Sequence, residues 1–202
     1  WFYPTILEDL GVEWFRPYDR LADRSRGLPW TEWFLGGRLN IVHNVLDRHL
    51  PARAAQVAVI AEDESGTAER LTYGELHARV CRFAGALAGA GVGVGDAVGF
   101  YLPMRIEVVV ALLACLKIGA VPVPIFAGFG PEAVAGRLED AGARVLLTAD
   151  ATVRRGRTVD LKAAADAACE LAPGVRTVVV QRRTAAPIAW RAGRDVEWSA
   201  FE

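Results

Sequence analysis

From Val57 onward the chain alternates short apolar runs of strand length with amphipathic stretches of ten or more residues, and this alternation limits the fold more than any other feature. "VAVIAED" reads as a short buried strand and "LTY" as a second small one before Gly74. Leu76, Val80, Phe83, Ala84 and Leu87 then recur at helical spacing, with Glu75, Arg79 and Arg82 off that face. The glycines of "GVGVGD" supply a turn into the strand "AVGFYLP", followed by the helix "RIEVVVALLACLKIG", apolar nearly all round and so buried on most sides. In the next strand, "AVPVPIF", two prolines favour a sheet edge or a strand end. "GPEAVAGRLEDAG" predicts a helix with Pro131 at its first position and Gly142 beyond its last turn. "ARVLLTAD" is the next strand, "DLKAAADAACELA" the next helix and "RTVVVQR" the last clear strand. Strands joined by helices need crossover connections, which are right-handed. The predicted class is therefore α/β, a mostly parallel sheet with helices on both faces. Ligands of such sheets meet the loops at the strands' carboxyl ends, here those after Leu102, Ile125, Asp150 and Val180.

The first fifty residues have a different texture. Trp1, Trp14, Trp30 and Trp33, four of the six tryptophans, lie here without helical or strand periodicity. They predict an irregular aromatic-rich extension pinned to a neighbouring surface by packing. Leu39, Val42, Val45, Leu46 and His49 recur at spacings of three and four, predicting a short amphipathic helix closed by Pro51. The expected organisation is an extension over 1–51 and an α/β sheet subdomain over 52–202.

Bulk properties exclude several classes of function. With 202 residues and 52% hydrophobic composition the chain can bury a substantial core. Its 23 Lys and Arg against 24 Asp and Glu remove any argument for a nucleic-acid or membrane surface. The apolar run Val108 to Leu116 is broken by Lys117, Pro122 and Pro124 and is too short to span a bilayer. No signal peptide is visible, and a start at Trp1 reads as a missing or processed beginning. Cys81, Cys115 and Cys169, widely spaced among alanines and leucines, read as small apolar residues in a reducing cytoplasm.

Few residues carry chemistry. The glycines of "GAGVGVGD" follow a helix and precede a strand, the reverse of a dinucleotide fingerprint, and Asp96 stands where the third glycine would be. No phosphate loop ending in Lys and Ser or Thr occurs, nor a Gly-x-Ser-x-Gly elbow. His43, His49 and His77 lack metal-ligand spacing and read as helix-surface or satisfied core residues. No catalytic or metal-ligating residue is predicted. Two stretches remain. "IFAGFGPEAV" runs a strand through Ala127, Gly128 and Gly130 into a helix, where small residues and a helix N-terminus let a flat ring or phosphate approach. "TVRRGRTVD" sets Arg154, Arg155 and Arg157 within four positions, and guanidinium groups grip phosphate through paired hydrogen bonds. Taken singly, a tight turn and a solvated basic turn account for them better. Together, at the ends of consecutive strands, the two explanations are balanced.

These stretches also carry a resemblance. "WFLGGRLNIVHNVLDRH", "LTYGEL", "FAGFGPEAVAGRLEDAGARVLLTAD" with "VRRGR", and "RDVEWSAFE" together resemble the AMP-forming acyl-coenzyme A synthetases, most closely the acetyl- and propionyl-coenzyme A group, from about Val12 to the last residue. The resemblance implies the N-terminal subdomain of the adenylate-forming fold and a two-step ligation. A carboxylate attacks ATP to give an acyl-adenylate and pyrophosphate, then the coenzyme A thiol displaces AMP. It implies that Phe126, Ala127 and Gly128 flank the adenine or pantetheine portion of coenzyme A, and that Arg154 and Arg157 meet its nucleotide phosphates; Arg155 falls outside the pattern. Two positions depart from it. Ala127 replaces the first of a usual glycine pair, and Gly130 replaces a helix-capping serine. The ATP loop, the acyl pocket, the sites for ATP and magnesium and the mobile C-terminal domain are expected after Glu202, so these residues should be inactive alone. The expected partners are small-molecule substrates and the remaining domains of the same enzyme, with a homo-oligomer left open. Two alternatives stand beside this reading: a non-catalytic, self-associating module with the same sheet, and a relative that adenylates an amino or aryl acid. The N-terminal signature argues against the second.

Overall fold

The computed structural model describes residues 1–64, 66–184 and 187–202. Its N-terminal segment is more regular than its sequence suggests. Helix α1 (Phe2–Asp9) precedes an antiparallel hairpin of β1 (Arg20–Asp23) and β2 (Glu32–Leu35), with Ala22 opposite Trp33. Ring contacts organise it: Tyr3 against Trp33 at 4.8 Å, and Trp14, Tyr18 and Phe34 within 5.6 Å of one another. No residue of α1 is buried, so aromatic contacts between segments, which leave no periodic trace, supply its order.

The single helix expected before Pro51 is interrupted. Asn40 caps α2 (Ile41–Val45) by accepting from the Val42 N–H at 2.9 Å. The chain then leaves helical geometry at Leu46 (φ −132°, ψ −65°) and passes through one tight turn at Asp47–His49 into α3 (Leu50–Arg53). Pro51 therefore sits in the first turn of α3, where its missing N–H is harmless, rather than closing a helix. Asn40 Nδ2 donates to the Lys117 carbonyl at 2.9 Å and Lys117 Nζ meets Asp47 at 2.8 Å, fastening this segment to the sheet body.

Strands β3 (Val57–Glu62) and β4 (Ala68–Thr72) form an antiparallel pair apart from the main sheet. β3 is not the buried strand its apolar run suggests: Val57 and Ile60 are exposed. Helix α4 (Tyr73–Gly89) opens on a reciprocal cap. Thr72 Oγ1 accepts from the Glu75 N–H at 3.3 Å and Glu75 Oε2 accepts from the Thr72 N–H at 2.8 Å. Its buried face is the predicted one, Leu76, Val80, Phe83, Ala84 and Leu87.

The body continues through β5 (Ala97–Tyr101), α5 (Ile106–Lys117), β6 (Val121–Pro124), α6 (Pro131–Ala141), β7 (Val145–Ala149), β8 (Ala151–Arg154), β9 (Arg157–Asp160), α7 (Leu161–Leu171), β10 (Thr177–Gln181), β11 (Asp195–Glu197) and α8 (Trp198–Phe201). The main sheet is parallel in the order β11-β10-β7-β5-β6. β6, with its two prolines, pairs only with β5 and lies at the edge. α6 has Pro131 at its start and no side-chain cap at Gly130; it ends at Gly142 in the left-handed region (φ 63°), a conformation that glycine adopts without strain. β5 and β7 are buried at every position. α5 buries Ile106, Val110, Ala111, Ala114 and Cys115, while Leu112 reaches solvent, so its cover is less complete than its composition suggests.

The order of connections fixes where a ligand can sit. From β5 the chain steps to β6, then reverses past β5 to β7 and goes on to β10. With right-handed crossovers, this reversal sends α5 to one face and α6 and α7 to the other. The loops leaving β5 and β7 consequently diverge, opening a crevice at their carboxyl ends.

Candidate functional site

A cleft of about 800 Å³ occupies that crevice. Its floor is apolar, with Phe100, Leu102, Pro103, Val108, Pro122 and Pro124, and its rim carries Phe126, Ala127, Gly128, Thr152 and Arg154. The two suspected stretches therefore meet in space, one following β6 and the other following β7.

The arginine stretch is not the loop its composition suggests. β8 and β9 form an antiparallel hairpin in which Arg154 lies directly opposite Arg157. The turn between them is Arg155 and Gly156, both at positive φ (52° and 70°), as a two-residue hairpin turn requires. Direct opposition puts Arg154 and Arg157 on one face, while Arg155 is at the tip. Like charges facing each other weaken a ladder. Arg154 lines the cleft; among the described residues forming that lining Arg157 is not included.

Arg154 is held by an aromatic face. Its guanidinium carbon lies 4.9 Å from the centre of the Phe126 ring, which is 53% exposed and so open to a ligand. Phe126 meets Phe129 edge-on at 5.5 Å, and Arg137 covers Phe129 at 4.5 Å. The Tyr101 hydroxyl donates to the Phe129 carbonyl at 2.9 Å, tying the loop to the end of β5, and burial pushes the Tyr101 phenol up. Gly128 is the position of close approach. A Cβ there would stand 2.6 Å from Phe126 Cε1 and 2.7 Å from Arg154 Nη1, displacing both. Ala127, by contrast, packs against the core as well as lining the cleft, so its methyl group finds a seat.

Asp150, at the junction of β7 and β8, roots the hairpin. Its fully buried carboxylate accepts from the N–H groups of Ala151 (2.7 Å), Arg183 (2.9 Å) and Thr184 (2.7 Å), and from the Thr184 hydroxyl (2.9 Å). Burial alone would push this carboxyl up; the hydrogen bonds from Thr184, Arg183 and Ala151 outweigh it and hold the group below the ordinary carboxylate value. At the other root, Asp160 ends β9 and caps α7 by accepting from the Ala163 N–H at 2.9 Å. Sequence reasoning places Asp150 at a strand end but gives no sign of its bonds to Arg183 and Thr184, because those partners lie 33 and 34 residues away.

Burial and the charge of Arg105 push the nearby Arg183 guanidinium down. Burial also pushes the Cys115 thiol up to about 12, the behaviour of an inert core residue, and Cys169 up as well. All three cysteines are free, with Cys81 half-buried. His43 pairs with Glu13 at 2.7 Å and His77 lies 3.6 Å from Asp47, both away from the cleft. Among the described residues no helix is long and apolar enough to cross a membrane.

An open parallel α/β sheet with its crevice at a reversal of strand order, rimmed by an arginine-bearing hairpin and an aromatic loop, defines the class of doubly wound α/β domains. Comparison with known proteins is specific within that class. The family model described as "AMP-binding enzyme" matches residues 46–200, and the one described as "Acetyl-coenzyme A synthetase N-terminus" matches residues 1–45. The chain belongs to the AMP-binding enzyme family. It is 47% identical to the acetyl-coenzyme A synthetase of Chromobacterium violaceum over 98% of its own length and 30% of the relative's. To that of Methylobacillus flagellatus it is 45% identical over 95% and 29%. The solved acetoacetyl-CoA synthetase from Streptomyces lividans superposes with a TM-score of 0.88 at 30% identity, covering 99% of this chain and 30% of that one. The chain thus spans about a third of the length of the relatives it matches.

Proposed function

We propose that these residues are the N-terminal part of a short-chain acyl-coenzyme A synthetase, and that the cleft receives the nucleotide end of coenzyme A. The observation that carries this reading is the convergence of Phe126, Ala127 and Gly128 with Arg154, whose cross-strand partner is Arg157. An aromatic face 4.9 Å beneath a guanidinium group suits a purine ring beside a phosphate. The apolar floor suits the pantetheine arm.

In this reading residues 1–51 are an extension and residues 52–202 an incomplete adenylate-forming subdomain. They contribute scaffold and half of a coenzyme A site. ATP, magnesium and the carboxylate substrate engage parts of the enzyme that this chain does not span. The overall reaction joins acetate or another short-chain carboxylate to coenzyme A through an acyl-adenylate, releasing pyrophosphate and then AMP. The chain's own residues bind and orient the thiol carrier for the second step. The three free thiols fit a reducing, cytoplasmic setting. No observation favours the self-associating module.

Kinetics of the complete enzyme test the proposal. Arg154→Ala or Arg157→Ala should raise KM for coenzyme A by about tenfold, the scale of losing one charge-assisted phosphate contact, with a far smaller effect on acetate-dependent pyrophosphate exchange. Equal losses in both half-reactions would reject the assignment.

A further inference from the structure

The tip of the arginine hairpin is tied to a connection 91 residues earlier in the chain. Positive φ at Arg155 and Gly156 turns both backbone N–H groups toward Glu64, in the connection between β3 and β4. Glu64 Oε1 accepts from the Arg155 N–H at 3.1 Å and Oε2 from the Gly156 N–H at 3.4 Å. Two successive N–H groups converging on one carboxylate form a small anion-holding concavity, here filled from within the chain. The neighbouring carboxylate, Asp63, is committed elsewhere, to Arg105 at 3.2 Å.

The hairpin needs such a tie. Each of its strands has four residues, Val153 is 52% exposed, and every position from Arg154 to Thr158 faces solvent. Ala151 is buried and Val159 packs against the core near the root, but the outer half has no apolar seat, and a two-stranded ribbon does not hold one orientation by itself. Asp150 and Asp160 fix its root and the Phe126 ring supports the Arg154 side chain, which leaves the backbone of the tip to be held by Glu64. Glu64 also lines the cleft with Arg154 and Phe126, so the clasp and the presented guanidinium group border the same space.

We propose that Glu64 is a positioning residue whose carboxylate clasps the hairpin tip and sets the angle at which Arg154 faces the cleft, with Arg157 opposite it on the neighbouring strand. Nucleotide affinity then depends on a carboxylate acting through the hairpin backbone, although a negative charge at the rim would by itself repel phosphate. The inference rests on the coenzyme A reading above, and its test separates the two.

In the full-length polypeptide, amide hydrogen exchange over residues 151–160 and calorimetric titration with coenzyme A are compared for Glu64→Ala, Glu64→Gln and Arg154→Ala. Glu64→Ala should accelerate exchange at the tip and weaken coenzyme A binding by about fivefold, the scale of losing the net worth of one to two hydrogen bonds. Glu64→Gln, whose amide oxygen still accepts one N–H, should fall between it and the parent on both readouts. Unchanged exchange in Glu64→Ala overturns the clasp. Faster exchange with unchanged affinity, while Arg154→Ala does weaken binding, overturns the positioning role. If Arg154→Ala leaves affinity intact, the coenzyme A reading fails instead, and faster exchange in Glu64→Ala still upholds the clasp.

Discussion

Strand β7 and the β8–β9 hairpin follow one another with a single residue between them, yet Val145–Ala149 is buried at every position while Arg154 to Thr158 all face solvent. β7 is bonded on both sides, to β5 and to β10, and its shape is settled by packing that few substitutions could redirect. The hairpin is held by point contacts: Asp150 and Asp160 at its root, Glu64 at its tip and the Phe126 ring beneath Arg154. Stability and, in the proposed reading, recognition are thus carried by adjacent stretches under different physical rules. The body supplies a rigid edge. The hairpin presents charge on an exposed element, and exposed elements with few contacts open at low cost.

The junction residue should break this contrast most strongly. Asp150→Asn places a donor against the N–H and hydroxyl of Thr184, and should cost about 1–3 kcal/mol, the penalty for leaving buried partners unsatisfied. Because the folded carboxyl lies below its ordinary value, its contribution is present above the unfolded pKa of about 4 and disappears as pH falls through the lower folded value. Chemical denaturation at several pH values should show the variant losing this part of the acid dependence. A midpoint unchanged near neutrality would mean that β7 and the hairpin are not coupled through Asp150.

A smaller effect on stability, with a selective effect on the site, is expected at Gly128. Gly128→Ala puts a methyl group into the space of Phe126 and the far end of Arg154, so both the half-exposed ring and the flexible guanidinium must shift. Stability should change by about 0.5 kcal/mol or less, while coenzyme A affinity falls measurably in titration. A large loss of stability with affinity intact would put Gly128 in the body rather than in the site.

Legibility in the sequence follows the same division. α4, α6 and α7 carry helical periodicity, Pro122 and Pro124 mark an edge strand, and Gly142 marks a helix end, so the parallel sheet and its covering helices can be read locally. The positions of Phe126, Gly128 and Arg154 at strand ends follow from topology once the sheet is inferred. The hairpin does not. Its turn places a non-glycine residue, Arg155, at positive φ, and three arginines in four positions look the same in a solvated turn. The exposed pair β3–β4 has the apolar content of a buried strand, and the N-terminal segment takes its order from rings brought together across the chain. Glu64 leaves no local signature, because the groups it holds are backbone N–H groups 91 and 92 residues away.

The most direct measurement is a crystal structure of the full-length polypeptide with coenzyme A bound. The account predicts the nucleotide phosphates within hydrogen-bonding distance of the Arg154 and Arg157 guanidinium groups, with the purine against Phe126 and Gly128. A nucleotide ordered elsewhere, with both arginines still in solvent, would contradict it.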